Sequence, residues 1–152
     1  MAKVSILFDG FEDLAYEISK LGDEPLHNAV DEALSKAQEH VQRKVKAAAA
    51  KYGPRGGKGY ATGDMKAAVY SGGVEWSGPY ASVGVGFDLE APGGFHSIFI
   101  MYGTPRHAPG NNRGIRRDKE IYNAIRGPHL NEEIEEIQLK AMEKYLTLGG
   151  KK

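Results

Sequence analysis

The sequence contains no cysteine. That excludes a disulfide scaffold, a thiolate-ligated metal and a cysteine nucleophile. It has no net charge, with 20 Lys+Arg against 20 Asp+Glu, so the chain as a whole has no bias toward nucleic acid or membranes. No apolar run approaches the ~20 residues that a membrane span needs. Met1 to Gly10 holds one lysine and a short Val-Ser-Ile-Leu-Phe stretch, and acids follow at once. That stretch is too short for the core of a signal peptide, and no small-residue cleavage site follows it. The expectation is a soluble protein made in a cytoplasm.

Glycine is in excess, at 20 of 152 residues, and is concentrated between residues 53 and 127. The middle of the chain is therefore rich in turns. Hydrophobic residues at 41% and charged residues at 26% are ordinary globular usage. A chain of this length makes one domain, residues 1–152, and buries roughly 68–70% of the surface its unfolded form exposes.

Periodicity predicts the elements. Val4, Ile6 and Phe8 share one face of a short strand over Lys3–Phe8. Phe11, Leu14, Ile18 and Leu21 form the stripe of a short helix closed by Gly22. A long helix follows Asp23-Glu24-Pro25. Its apolar positions run from Leu26 to Tyr52, with Gly53-Pro54 as the stop. Ala47–Ala50 are four alanines in a row. They either let another backbone approach closely or are simply good helix formers. Met65–Ser77 and Tyr80–Asp88 read as strands joined near Ser77-Gly78-Pro79. Phe95–Tyr102 is a buried strand or a short helix. Lys119–Ile125 is helical, and a final amphipathic helix carries Leu130, Ile134, Ile137, Ala141 and Tyr145, with Asn131 as its expected N-cap.

The expected fold class is α+β, with helices around an antiparallel sheet of about four strands. Two long loops interrupt it, residues 53–64 and 105–117. The expected core is Phe11, Leu14, Ile18, Leu34, Val41, Val83, Val85, Phe99 and Leu146.

Charge is balanced in sum and segregated in sequence. Residues 9–40 hold nine acids and two bases, net −7, and residues 130–148 are net −3. Residues 51–66 are net +3, and residues 105–119 hold five bases and one acid, net +4. Acid lies on the helices and base on the loops. The pattern is either solvated surface or a means of pairing positive loops with a neighbour's negative helices.

Motifs for catalysis do not assemble. Gly57-Lys58 is followed by Gly59, position 52 is Tyr, and the loop follows a helix, so it is no phosphate loop. The five histidines show no metal-ligand spacing. Ser71 and Ser97 lie in no nucleophile elbow. No catalytic residue, cofactor or metal is expected, and so no enzyme.

The order of motifs resembles the head–tail joining and tail-completion family of long-tailed bacteriophages, the neck or minor tail proteins. Four features carry the resemblance. Val4–Leu21 gives the strand and short helix with Gly10-Phe11-x-x-Leu14. The long alanine-rich helix runs into basic residues and a Pro-containing loop. Ala61-Thr62-Gly63-Asp64-Met65-Lys66 is similar to a Thr-Gly-x-Leu-basic signature. Phe99-Ile100-Met101-Tyr102-Gly103-Thr104 is similar to an aromatic-Gly-Thr signature. Many members carry an acid where this chain has Met101, and a compact proline-aromatic segment where this chain has loop 106–117.

The resemblance implies a non-enzymatic virion part in the tail and neck, forming a ring, expected to be a hexamer. Its partners would be neighbouring neck and tail proteins, the head-closure stopper and the tail terminator, with passive contact to genomic DNA and no membrane. Arg55, Lys58, Tyr60, Thr62, Gly63, Tyr102, Gly103 and Thr104 are expected at subunit interfaces. Arg106, Arg113, Arg116, Arg117 and Lys119 are expected to face DNA or an acidic partner. The alternative is a small nucleic-acid-binding protein, without sequence specificity, that uses the same two basic loops.

Overall fold

The computed structural model describes residues 16–53, 63–105 and 114–149. The fold is α+β. Helix α1 spans Asp23–Ala49 and ends in a 3-10 turn over Ala50–Tyr52. Pro25 and the acids Asp23 and Glu24 occupy its first turn, where a missing N–H costs nothing and negative charge meets the positive end of the dipole. Gly53 closes it by donating its N–H to Ala50 O at 3.1 Å. A single turn, α2 (Asp64–Ala67), is followed by β1 (Val69–Ser71), β2 (Glu75–Ser77), β3 (Tyr80–Ser82) and β4 (Val85–Phe87). Then come α3 (His96–Tyr102), α4 (Lys119–Arg126) and α5 (Leu130–Gly149).

The strands do not form one sheet of four. β1 pairs with β4, and β2 pairs with β3, in separate two-stranded sheets. Met65–Ser77 is not one strand either: its start is helical, and Gly72-Gly73 separates β1 from β2. Val83-Gly84 likewise separates β3 from β4. Glycine inside a strand weakens it and invites a break. The β2–β3 hairpin has Glu75 opposite Ser82 and Trp76 opposite Ala81. Its turn is Gly78-Pro79, with Gly78 at φ +61°. Proline cannot take positive φ, so the turn is of the II′ kind, whose twist suits a hairpin. The ambiguous stretch around Phe99 is helical. Asn131 lies inside α5, which begins one residue earlier at Leu130. The expected strand Lys3–Phe8 lies outside the described residues; residues 16–19 are helical and Gly22 follows them.

The chain divides into two compact units. Among the described residues, one takes those up to His40, Ser71–Gly84 and those from His129; the other takes Val41–Tyr70 and Val85–Pro128. In the first unit, Ile18, Ala29, Ala33, Ala141 and Met142 form the buried cluster, with Leu26, Val30, Tyr145 and Leu146 against it. Gln38 Nε2 donates to the carbonyls of Gly72 and Gly84, and Trp76 Nε1 donates to Asp31 Oδ1 at 2.8 Å. These bonds tie the hairpin to α1. Lys36 and Lys144 flank Glu32, and Tyr145 Oη donates to it at 2.8 Å. His40 Nε2 lies 2.9 Å from Glu133 Oε2.

In the second unit, Val45, Ala48, Ala49, Met65, Val69, Ile121 and Ala124 form the core. Val41, Val85, Phe87, Ile100 and Met101 pack on it half-buried. Of the expected core residues, Ile18 is fully buried, whereas Leu34, Val41, Val83, Val85, Phe99 and Leu146 are only half-buried. Phe11 and Leu14 lie outside the described residues. The buried positions of α1 are small instead: Ala29, Ala33, Ala37, Ala48 and Ala49. An alanine face lets a neighbouring element approach the helix backbone, and bulkier residues then pack at its margins. Ala47 and Ala50 are exposed, so the four-alanine run is half core and half surface. On α5 the stripe passes through Gln138, 6% exposed, where Ile137 was expected. No buried side-chain polar atom among the described residues lacks a hydrogen-bond partner.

Candidate interaction surface

The interiors of both long loops, and with them Arg55, Lys58, Tyr60, Thr62, Arg106 and Arg113, lie outside the described residues. Their bases do not. At the first loop, Gly63 donates its N–H to Tyr52 O at 3.3 Å. The chain thus returns to the end of the helix it left, and Gly63 then precedes α2 as its N-cap. At the second loop, Thr104 N–H donates to Ile115 O at 2.9 Å, and Ile115 N–H donates back to Thr104 Oγ1 at 2.7 Å.

Gly103 makes that clasp sterically feasible. It sits at φ +77°, and a Cβ there would stand 2.8 Å from Ile115 O and 3.0 Å from Arg117 N. Only glycine allows both the left-handed backbone and the close approach. Gly103 and Thr104, expected at a subunit interface, therefore hold their own loop closed. Tyr102 is exposed, its ring edge-on to Tyr122 at 6.2 Å.

One carboxylate joins the two bases. Asp118 caps α4, accepting from Glu120 N at 2.9 Å and Ile121 N at 3.2 Å. It also accepts from Lys51 Nζ at 2.7 Å and from the Tyr52 hydroxyl. Its own N–H donates to Ile100 O at 2.8 Å. Lys51 and Tyr52 open the first loop, and Asp118 closes the second. Burial acts most strongly on Asp118 and raises its pKa, but the bonds from Lys51, Tyr52, Ile121 and Glu120 together hold it below the ordinary carboxylate value. Burial, then the bond to Asp118, pushes the Tyr52 hydroxyl up to about 12. The hydrogen bond to Asp118, with that to Glu120, raises Lys51.

Asp118 is the only acid between residues 105 and 119. Because it turns to Lys51, Tyr52 and α4, the cations beside it are left over. Arg116, Arg117 and Lys119 are exposed and have no carboxylate partner among the described residues. The Arg117 guanidinium lies over the Tyr122 ring at 4.4 Å, a cation–π contact that orders the head group while the residue stays exposed. The arrangement can hold an anion, whether phosphate or carboxylate, through charge and donors alone.

Sequence reading missed the junction at Asp118, with Lys51 and Tyr52. The available signal was an Asp directly before a helical run with Glu two residues on, an N-cap pattern. Ser97 is 2% exposed and its Oγ donates to Gly94 O at 2.6 Å. No group of three or more His, Asp or Glu residues among the described residues could hold a metal ion, and no described helix is long and apolar enough to cross a membrane. No family model, curated protein or solved structure matches the chain.

Proposed function

We propose that the chain is a structural subunit of a tailed-bacteriophage virion, part of the ring that completes the tail and joins it to the capsid neck. The observation that carries this reading is the junction at Asp118. Its ion pair with Lys51 and its hydrogen bond from Tyr52, with the Thr104–Ile115 clasp, fix the described ends of the two basic loop segments. A connector subunit needs such loops, held at the root and free to meet neighbours. The order of motifs around the long helix is the second support. In this reading copies of the chain form a hexameric ring, with the head-closure stopper and tail terminator as neighbours and DNA passing through. The chain acts without catalysis, and its place is the neck of the virion, after synthesis in the host cytoplasm.

The test is a triple substitution, Arg113→Ser, Arg116→Ser and Arg117→Ser. Arg116 and Arg117 are exposed, and exposed charges contribute little to folding, so stability should stay within about 1 kcal/mol. Joined, infectious particles should fall sharply. Normal virion assembly by the triple variant would overturn the reading.

A second reading rests on Arg116, Arg117 and Lys119, which have no carboxylate partner among the described residues: a nucleic-acid binder that neutralises phosphates without reading bases. Anisotropy titrations with duplex DNA distinguish the two. Tight binding by the monomer, with affinity falling steeply with salt, would favour the second reading.

A further inference from the structure

Lys46 on α1 and Lys66 on α2, with Gly63 and Ala67, line a depression of about 340 Å3 in the second unit. Its lysines stand out by lacking partners. Lys20, Lys36, Lys51, Lys140 and Lys144 all sit on carboxylates, and Lys44 is engaged as well. Among the described residues, Lys46 and Lys66 have no ion pair, and Lys119 is the other lysine in that state. Arg43 stands one turn before Lys46, exposed on the same helix stripe.

The complementary charge lies on the same helix. Residues 23–40 hold five acids and one base, and residues 41–52 hold four bases and no acid. Along α1, Asp23 and Glu24 stand in the first turn and Lys46 in the last. The helix dipole accounts for acids in the first turn and a lysine in the last. It does not account for Lys66, which belongs to another element, or for Arg43, which lies before the last turn. At the acidic end Asp23 and Glu24 are exposed, and neither has an ion pair among the described residues.

We propose that the depression between Lys46 and Lys66 receives the Asp23 and Glu24 carboxylates of a second copy of this chain. Two ammonium groups meet two carboxylates, in a space of about ten waters at ~30 Å3 each. The two surfaces differ, so the contact is head-to-tail, and it propagates from copy to copy until it closes into a ring. This rests on the ring reading above and assigns it a contact.

The experiment is sedimentation velocity of the full chain at low and high salt. It compares the unaltered protein, K46E/K66E, D23K/E24K and the fourfold variant carrying all these changes. Far-ultraviolet circular dichroism shows that each is folded, and K46Q/K66Q serves if a charge reversal is not. The expected result is self-association that salt weakens, lost by roughly tenfold or more in affinity in either double variant, as expected for reversal at close charge pairs. The fourfold variant should recover it, because the charges are exchanged across the contact. Unchanged association in K46E/K66E overturns this contact and leaves the ring reading standing. Failure of the fourfold variant to recover also overturns it. Should the unaltered protein stay monomeric throughout, self-recognition through this site is wrong. DNA binding by that monomer, lost in K46E/K66E, would give the site to phosphate instead.

Discussion

Four donors converge on the Asp118 carboxylate. Asp118→Ala removes a helix cap, worth about 0.5–2 kcal/mol, and a charged hydrogen-bond network besides. The expected total loss is about 2–4 kcal/mol in urea unfolding. Asp118→Asn keeps the cap and should cost about half as much; equal losses for the two would show that the cap adds nothing to the charged contacts, and no loss in Asp118→Asn that only the cap counts. Tyr52→Phe removes one donor and should cost about 1–2 kcal/mol. A second residue governs acid stability. Hydrogen bonds from Lys36, Tyr145 and Lys144 lower Glu32 to about 2, whereas an unfolded glutamate titrates near ~4.3. A lowered carboxyl stabilises the fold above the unfolded value, and that contribution is lost as pH falls through the folded one. Glu32→Gln should therefore flatten the fall in stability between about pH 5 and pH 2. Urea midpoints measured across that range would refute the assignment if both slopes agree.

At the scale of elements, α1 is an alanine helix whose small side chains fix how closely its neighbours pack. Ala33→Leu puts a large side chain into a site only 1% exposed, and overpacking there should cost about 1–3 kcal/mol. Ala47→Leu on the exposed side should stay within about 0.5 kcal/mol. Thermal unfolding of the two variants compares them directly, and similar melting temperatures would contradict the packing account. The long helix, α4 and α5 were legible in the sequence because 3–4 periodicity persists over many residues. The core was less so. Leu34 and Phe99 attract attention through size, but the helix face that packs closest selects for smallness. The sheet was legible only as strands. Gly72-Gly73 and Gly84 lie where the runs break, and no local pattern says which three-residue strand pairs with which. Gly103 and Thr104 were legible as a motif and not as a clasp, because the partner Ile115 lies eleven residues beyond Thr104.

The whole chain is electrically neutral and segregated in charge along its sequence, with acids on the first half of α1 and on α5 and, at the loop bases, cations that have no carboxylate partner among the described residues. That segregation was readable directly from composition by segment. The tying of the two basic loops through Asp118 was not, since it joins residues 66 and 67 positions apart, Tyr52 and Lys51. Neutrality with segregation suits a subunit that meets its own kind end to end better than one that binds any polyanion at large. The function proposed for the chain is to join tail to capsid. On that proposal the test is electron microscopy of the particles a tailed phage carrying this gene assembles when the chain is withheld. The account predicts filled capsids and finished tails lying separate, with joining restored by adding the purified protein. Joined, infectious particles formed in its absence would contradict the account.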